Sequence, residues 1–444
     1  MLNFIELYNQ TQAEIELYSA PALNRQRSQY AELLQQIGMP SRKTEGYRNI
    51  DLAEPLSVDY GVNVRQLDLP QANRPTACDV RGMNPILCWI INGKIILPKE
   101  ISEQLITITT QNDQMVNDQM VNDQMVNGKC VNGKLLNDSL VALNAMFAQN
   151  GLFISIPDGV QLDRPIQIMN ISNAALDLFT AMHHTIVLGK NTKAQVLVCD
   201  HAWSQNHYLC SSTTEVYVGE GATYEHYHLE DTSNSMCRFN NLIINQSKSS
   251  DTLANLITLR NGTTRNNVFI TQNGENCRTE LCGMFLGSGH QTADNFTKIN
   301  HLTTGGHSNE LFKYVLDENS KGVFKGELIV AKGAQKTEAY QTNRNILLSR
   351  TAKVRTEPQL EIYADDVKCS HGATTGQMDE KALFYMRQRG IPEQEARLLL
   401  MNAFVADVIN NIRIEALQDR VRQLTDSRLR NDNNSPCNSC KMCK

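Results

Sequence analysis

The feature that most constrains the fold is a stretch of more than 200 residues, from about 150 to 376, built of short β-rich runs. Gly, Asn, Asp and Ser separate these runs, which include LFISIP, AQVLVCD, TTEVYVG and GVFKGELIV. Apolar residues alternate with period two in many of them, and helical periodicity is not evident. Such a pattern is typical of a sandwich, a barrel or a β-solenoid.

A β-solenoid is the arrangement that this stretch favours. The stretch is too long for one ordinary sandwich of about 100 residues, and few Asn-Gly-type hairpin turns occur in it. It is also rich in Asn and Gly, which the corners of a coil need. With roughly 20–25 residues per coil, we predict about ten coils. A strict hexapeptide repeat is not visible, so the left-handed hexapeptide type is not expected.

Helical patterns flank the β-rich stretch. Residues 1–37 show helical spacing in two pieces, with a break at Ser19-Ala20-Pro21 and an end at Gly38. After the β-rich stretch, Asp379 is a good N-cap, and Gly390 ends the helix that it begins. Further amphipathic pieces continue to about residue 430. The predicted fold class is therefore mainly β, with flanking α-helical regions.

Two local features lie in the first third of the chain. Residues 86–97 contain two β-rich runs joined by Asn92-Gly93, the preferred dipeptide of a type I′ turn, and they predict a β-hairpin. Residues 112–137 form a low-complexity insert in which Asn recurs every five residues. A period of five matches neither helix nor strand, so we interpret the insert as a tandem expansion in a surface loop. The alternative is a short binding or amyloid-like repeat.

These patterns divide the chain into four parts. They are an N-terminal helical region with the hairpin and the insert (1–138), a solenoid core (139–376), a C-terminal helical region (377–430) and a disordered tail with cysteines (431–444).

Charge and composition exclude several classes of protein. The chain has 42 basic and 47 acidic residues, and this balance argues against a general nucleic-acid binder. It has no run of about 18 apolar residues, so we expect no membrane span. The start, MLNFIELYNQTQ, does not resemble a secretory signal peptide, and the 12 cysteines are then best interpreted as reduced thiols of a cytoplasmic protein. Most of those between Cys78 and Cys282 are expected to be small buried apolar groups.

Three sets of side chains are candidates for metal chemistry. His226 and His228 share a face of one predicted strand, but the Glu that a cupin-type site needs is missing, so ordinary packing is the favoured interpretation. The tail carries Cys437, Cys440 and Cys443, a CxxCxxC that could hold one soft ion if a fourth ligand came from elsewhere. The alternative is a flexible tail with incidental thiols.

The third set lies in LEIYADDVKCSHGATTG. Cys369 and His371 are two residues apart and therefore share a face of a strand. A thiolate beside an imidazole offers ligands that suit iron or zinc. The alternative is an ordinary packed strand end. Motifs of the common nucleotide-binding and hydrolytic sites, such as GxxxxGK[ST], GxSxG and HExxH, are absent from the sequence.

Long segments resemble the SufB/SufD family of iron–sulfur cluster assembly proteins. They are FKGELIVAKGAQKTEAYQTNRNILLS and LEIYADDVKCSHGATTGQMDEKALFYMRQRGIPEQEARLLLMNAF, with SLVALNAMFAQNGLFISIPDGVQLDRPI, INGKIIL and GMPSRKTEGYRN upstream. The chain looks like the SufD branch. Family members of the SufB type carry a cysteine in the strand that corresponds to residues 341–348, whereas this chain reads QTNRNILL there.

The resemblance implies a fold, partners and a site. The fold is a right-handed parallel β-helix between helical terminal regions. The partners are a SufB-like paralogue, bound through the β-helix, and a SufC-like ABC ATPase, bound on residues 377–430. A homodimer is possible when the paralogue is absent. In this family an interface histidine matches His371, with Cys369 beside it, which implies that iron, sulfide or a cluster passes through a site shared with the paralogue.

We therefore expect a scaffold subunit without catalysis of its own, acting in the cytoplasm without nucleic acid or membrane. The resemblance implies no firm resident cofactor, although a flavin is associated with the family's complex. Two alternatives stay open: a metal-binding protein acting through the CxxCxxC tail, and a polysaccharide-acting β-helix enzyme, which would want an export signal and an acidic cluster on one coil face.

Overall fold

The structure is a computed structural model, and it describes residues 3–70, 80, 82–97, 106–110, 129–130, 134–202, 204 and 206–430. Most of the Asn-rich insert and the whole tail with Cys437, Cys440 and Cys443 lie outside the described residues. The interpretations of these two segments therefore stay predictions. Among the helices that are described, none is long and apolar enough to cross a membrane.

Seven α-helices are described at the two ends of the chain and before the solenoid. They are α1 (Phe4–Leu17), α2 (Pro21–Asn24), α3 (Arg27–Ile37), α4 (Ser139–Phe147), α5 (Glu380–Gln388), α6 (Glu393–Asn410) and α7 (Glu415–Leu429). Their ends follow local chemistry. Asp379 caps α5 by accepting hydrogen bonds from the backbone N–H groups of Lys381 and Ala382 at 2.9 and 3.1 Å. The predicted break after α1 and the end of α3 at Gly38 are confirmed.

The described strands make up the rest of the fold. They are β1 (Gly61–Val62), β2 (Ile86–Ile91), β3 (Lys94–Ile96), β4 (Thr107–Thr110), β5 (Lys129–Cys130), β6 (Lys134–Leu135), β7 (Leu152–Ile156), β8 (Ile166–Ser172), β9 (Leu178–Leu188), β10 (Lys193–Ala202), β11 (Tyr208–Val218), β12 (Thr223–Asp231), β13 (Met236–Gln246), β14 (Asp251–Arg260), β15 (Thr263–Gln272), β16 (Arg278–Gly287), β17 (Thr292–His301), β18 (His307–Leu316), β19 (Lys321–Val330), β20 (Thr337–Leu347), β21 (Lys353–Ile362) and β22 (Val367–Gly376).

The strands from β7 onward form a parallel β-solenoid with two sheets. The odd sheet runs β7-β9-β11 through to β21, and the even sheet runs β2-β8-β10 through to β22, so each turn of chain adds one strand to each sheet. The predicted hairpin is confirmed as β2 and β3; β3 is the end strand of the even sheet, and β2 connects it to the solenoid by pairing with β8. Asn92 and Gly93 both have positive φ, at 52° and 83°, as a type I′ turn requires.

The predicted size of the coil was wrong. Residues paired between successive coils are 26 to 32 positions apart, as Cys237 with Thr263 and Lys321 with Lys353 show. The even sheet therefore makes about seven turns from β8 to β22, not ten. Each turn contains two strands of about ten residues, and the short apolar runs in the sequence mark only parts of those strands.

Both faces of the solenoid wall are covered over much of its length. The side chains that point into the bore form one apolar core, which includes Val196, Leu242, Phe285 and Phe312. Helices α1, α3 and α4 pack on the outer face of the odd sheet. Helices α6 and α7 pack on the outer face of the even sheet. Six of the seven cysteines expected to be buried are buried, and Cys78 lies outside the described residues.

A polar cluster interrupts the apolar core in the middle of the bore. Arg238 of β13 forms ion pairs with Asp200 of β10 at 3.3 Å and Glu230 of β12 at 3.0 Å. His228 contacts both Asp200 and Arg238, and His226 accepts or donates at 2.9 Å to the hydroxyl of Tyr224. His226 and His228 share a face as predicted, but that face is the closed interior, where both side chains already have partners.

Candidate functional site

The solenoid ends at an open edge. Among the described strands, β22 pairs only with β20, and β21 pairs only with β19, so within this part of the chain each of the two sheets finishes in a strand with one unpaired edge. An unpaired strand presents a row of N–H and C=O groups and is a ready template for another strand. In β22 every residue from Ser370 to Gly376 is exposed. We call this end, with β21, β22 and the bore that opens between them, the mouth.

Cys369 and His371 share a face of one strand, as the sequence predicted, and that strand, β22, lies at the mouth. The register places Cys369 beside Ala339 and His371 beside Gln341. Ala339 and Gln341 are both buried, and their side chains point into the bore. Cys369 and His371 therefore point along the same interior line, at the place where the bore becomes accessible.

The two side chains differ in exposure. Cys369 is half-buried and packs against an apolar cluster that contains Leu328, Val330 and Ala339. This burial raises the pKa of the Cys369 thiol, partly offset by a backbone hydrogen bond from Ala339. A metal ion would therefore have to displace the thiol proton, since only the thiolate is a good ligand. His371 is exposed, so its imidazole is accessible from solvent.

The pair is an incomplete site. Within the described residues, no three His, Cys, Asp or Glu side chains lie close enough together to hold a metal ion. Asp365 and Asp366, which precede the pair in sequence, lie at the exposed corner between β21 and β22. The backbone of Asp366 is engaged with Lys336 and Gln335 at that corner. One thiol and one imidazole can contribute to a soft-metal site but need further ligands from another molecule.

Two residues behind the pair were missed in the sequence. Gln341 is buried below His371, and its side-chain N–H group donates to the carboxyl of Glu310 on β18. Gly326 of β19 leaves room for the Gln341 amide, because a Cβ at that position would overlap it. In the sequence, Glu310 and Gln341 look like the solvent-facing residues of alternating strands, and no motif distinguishes them.

The C-terminal helices form a second candidate surface. Buried side chains of α6 and α7, among them Val405, Val408 and Val421, hold these helices on the even sheet. Lys313 of β18 adds a polar tie, because its ammonium group donates to the carbonyl of Phe404 at 2.7 Å and pairs with Asp407. The opposite side of the helical region faces solvent.

Three large apolar side chains are exposed on this helical region. Phe384 and Tyr385 of α5 are 62% and 57% exposed, and Leu399 of α6 is 43% exposed. Other exposed apolar side chains of the described chain, such as Leu17, Leu67 and Tyr363, lie in other parts of the chain. Apolar groups that remain in solvent often mark protein–protein interfaces. The mouth and this surface lie on consecutive segments, since α5 begins four residues after β22 ends.

Comparison with known proteins gives two family matches. Residues 1–168 match the SufBD protein N-terminal region, and residues 170–404 match the SufBD core domain of SUF system FeS cluster assembly. The second match alone covers more than half of the chain.

Individual relatives agree with these matches. An iron–sulfur cluster assembly SufBD family protein of Synechocystis is 31% identical over 64% of this chain and 65% of its own length. The iron–sulfur cluster assembly protein SufD of Escherichia coli is 30% identical over 65% of this chain and 69% of its own length. SufD of Bacillus subtilis is 24% identical over 66% of this chain and 67% of its own length. The chain thus spans about two thirds of the length of these relatives. With its two family matches and its SufD relatives, the chain belongs to the SufB/SufD family of iron–sulfur cluster assembly proteins and is of the SufD type.

Proposed function

We propose that this chain is a non-catalytic scaffold subunit of a SufBCD-type complex, in which it pairs with a SufB-like paralogue through the mouth. The observation that carries the proposal is the open end of the solenoid. Two unpaired strand edges lie at one end of two parallel sheets, so a second solenoid can continue both sheets at once. A homodimer formed through the same edges is the expected state when the paralogue is absent.

The incomplete ligand pair supports a site shared across that interface. Cys369 and His371 lie on the edge strand, so the partner that covers the edge also covers them. Iron or sulfide is the cargo of such a site, and the remaining ligands come from the paralogue. A site divided between two subunits opens when the subunits move apart, which suits the transient handling of a nascent cluster. The association of a flavin with the complex stays a prediction.

The surface of α5 and α6 supports docking of a SufC-like ABC ATPase. Phe384, Tyr385 and Leu399 supply the exposed apolar anchors that protein interfaces commonly use. The buried contacts of α6 and α7 with the even sheet then connect the ATPase to the solenoid. ATP hydrolysis belongs to that partner, and this chain transmits its motion. We place the complex in the cytoplasm.

His371→Ala tests the shared site. We expect the variant to form the complex with both partners but to lower the yield of assembled cluster by about tenfold or more, since one ligand is lost. Ser370→Ala is the matched control, because Ser370 is also exposed on β22 but points away from the bore line. Reconstitution with ferrous iron and a sulfide source, followed by absorption spectra, measures the yield. Normal cluster formation by His371→Ala would remove His371 from the site.

Phe384→Lys tests the ATPase surface. Loss of an exposed aromatic anchor is expected to weaken binding of the ATPase by about 30-fold, corresponding to about 2 kcal/mol. Leu176→Lys is the control, since Leu176 is an exposed apolar residue, 38% accessible, between β8 and β9. Co-purification with both partners and titration calorimetry measure the effect. Unchanged ATPase affinity of the Phe384 variant would move the docking surface elsewhere.

A further inference from the structure

A cleft of about 570 Å³ opens on the outer face of the odd sheet. Strands β15, β17, β19 and β21 contribute its floor, and the segments 44–47 and 136–139 contribute its wall. The carbonyl of Gly46 accepts a hydrogen bond from Nη1 of Arg265 at 2.8 Å, so the first of these segments is fixed against the sheet. A cleft of this volume can hold a small organic molecule.

Arg265 of β15 places a buried cation in the lining of this cleft. The residue is 1% exposed. Its Nε donates to the side chain of Asn267 at 2.7 Å, and its Nη1 donates to Gly46 and to Asp294 at 2.8 and 2.7 Å. The remaining nitrogen, Nη2, makes no hydrogen bond with a described residue. Because buried polar groups are normally hydrogen-bonded, this free donor indicates a place for an acceptor from outside the chain.

A second cation lies beside the same aromatic ring as Arg265. Nζ of Lys325 is 5.6 Å from the ring centroid of Phe296, and Cζ of Arg265 is 5.1 Å from it. The ring of Tyr47 lies 4.4 Å from Cζ of Arg265 on another side, so the guanidinium is held between two rings. An anionic group beside Phe296 is therefore attracted by both cations.

The charges that contact one another in the cleft leave one positive charge in excess. Glu327 is shared by Lys298 and Lys325, at 3.2 and 2.8 Å. Asp294 is paired with Arg265 at 2.7 Å. Three cations thus face two carboxylates, and a ligand with a single negative charge would complete the balance.

The other carboxylates of the lining oppose an anion only weakly. Asp138 caps α4, so the N-terminus of that helix offsets its charge. Glu361 accepts a hydrogen bond from Gln359 at 2.9 Å. Glu45 is exposed, and solvent and salt screen its charge.

We propose that this cleft binds a small organic carboxylate, with its anionic group held by Nη2 of Arg265 and by Lys325 and its apolar body against Phe269. A carboxylate brings the one negative charge that the cleft lacks, and guanidinium N–H groups match its oxygens in geometry. A phosphate monoester would bring nearly two charges. Phe269 and Leu136 supply apolar parts of the lining for the rest of the ligand. The site is separate from the ligand pair at the mouth and does not depend on it.

Binding of benzoate to the full chain tests the site. Calorimetry at pH 7 and fixed ionic strength should give a dissociation constant of about 1 mM, which is ordinary for so small a ligand. Benzamide, which has the same shape without the charge, should bind about tenfold more weakly or not at all, and inorganic phosphate at equal concentration should not displace benzoate. Equal binding of benzamide would refute the anion site, and displacement by phosphate would refute the assignment to carboxylates.

Three variants test the assigned side chains. Arg265→Lys keeps a cation for Asp294 but lacks Nη2, so it should weaken benzoate binding by about tenfold or more, and thermal unfolding shows whether it is folded. Lys325→Met should weaken binding by about tenfold, because one charged donor is lost. Glu327→Gln should strengthen binding by about threefold, because the carboxylate that competes for two ammonium groups is removed.

Lys368→Met is the matched control and should leave the affinity unchanged. Lys368 pairs with Glu338 on the even sheet, and its side chain is 74% exposed. A gain of affinity in Glu327→Gln cannot come from damage to the fold, so this variant decides even if Arg265→Lys is unfolded. The site is refuted if the wild type does not bind benzoate, or if Lys325→Met and Glu327→Gln both bind it with the affinity of the wild type.

Discussion

Replacement of Arg238 by Met is expected to destabilise the solenoid strongly. The Arg238 side chain is 3% exposed and is the cation shared by Asp200 and Glu230 in the bore. Methionine is similar in length to the apolar part of arginine but carries no charge. The buried carboxylates of Asp200 and Glu230 would therefore lose the guanidinium group that they share. Removing one partner of a buried ion pair costs about 3–5 kcal/mol. Because Thr258, Thr264 and Asn170 still donate to these carboxylates, we expect about 3 kcal/mol.

The dependence of this loss on pH has a definite sign. Burial by itself would raise the pKa of Asp200, but His228 and Arg238 hold it well below its ordinary value. In the wild type this lowered pKa contributes stability above the unfolded-state pKa of about 4, and the contribution is lost as the pH falls through the folded value. Without Arg238, His228 and Asn170 still lower the pKa of Asp200, but less than in the wild type. The folded variant therefore protonates Asp200 at a higher pH than the folded wild type does, so acidification should narrow the difference in unfolding free energy between the two proteins.

Guanidinium unfolding at pH 7 and pH 5, with hydrogen exchange of the amides of β11 to β15, measures both effects. Arg355→Met is the matched control, because Arg355 pairs with Glu357 on β21 with 66% and 41% of the two side chains exposed. An exposed pair of this kind contributes about 0–1 kcal/mol. A loss below about 1 kcal/mol for Arg238→Met, or a deficit that grows on acidification, would refute this account of the buried cluster.

Two further predictions concern the packing around Gln341 near the mouth and the bonds between Lys313 and α6. Gly326→Ala should destabilise the last turns by about 1–3 kcal/mol, because the new Cβ overlaps the Gln341 amide, whereas Gly372→Ala, with nothing within 4 Å, should be nearly neutral in thermal unfolding. Lys313→Met should loosen α6 by removing the bonds to Phe404 and Asp407. Limited proteolysis should then cut the C-terminal helices faster while the solenoid stays intact, and equal cleavage rates would show that apolar packing alone holds α6.

Local chemistry made several elements predictable. Asn92-Gly93 predicted its hairpin because a type I′ turn needs two residues with positive φ, and both have it. Asp379 predicted the start of α5 because its carboxylate satisfies N–H groups of the first turn. Cys369 and His371 were placed together because residues two apart in a strand share a face. Each of these depends on a few adjacent residues and little on the rest of the fold.

The interior of the solenoid was not predictable in the same way. Asp200, Glu230, Arg238 and Glu310 look like the polar face of alternating strands, and only the closing of the two sheets makes that face an interior. The coil length was underestimated for a related reason. In strands such as β13 nearly every residue is buried, since helices cover the outer face while the bore closes the inner one. Alternation therefore does not mark where such a strand begins or ends.

The tie between Lys313 and α6 has a mechanical consequence. Lys313 and Glu310 are three residues apart on β18, and they point to opposite faces of the same strand. Lys313 is bonded to α6 outside the wall, and Glu310 is bonded to Gln341 inside it. A helix displacement that keeps the Lys313 bonds would drag β18 and shift the bore carboxyl relative to β20. Strand β18 thus couples the position of α6 on the outside to the position of the Glu310 carboxyl inside the bore, two strands from the open edge.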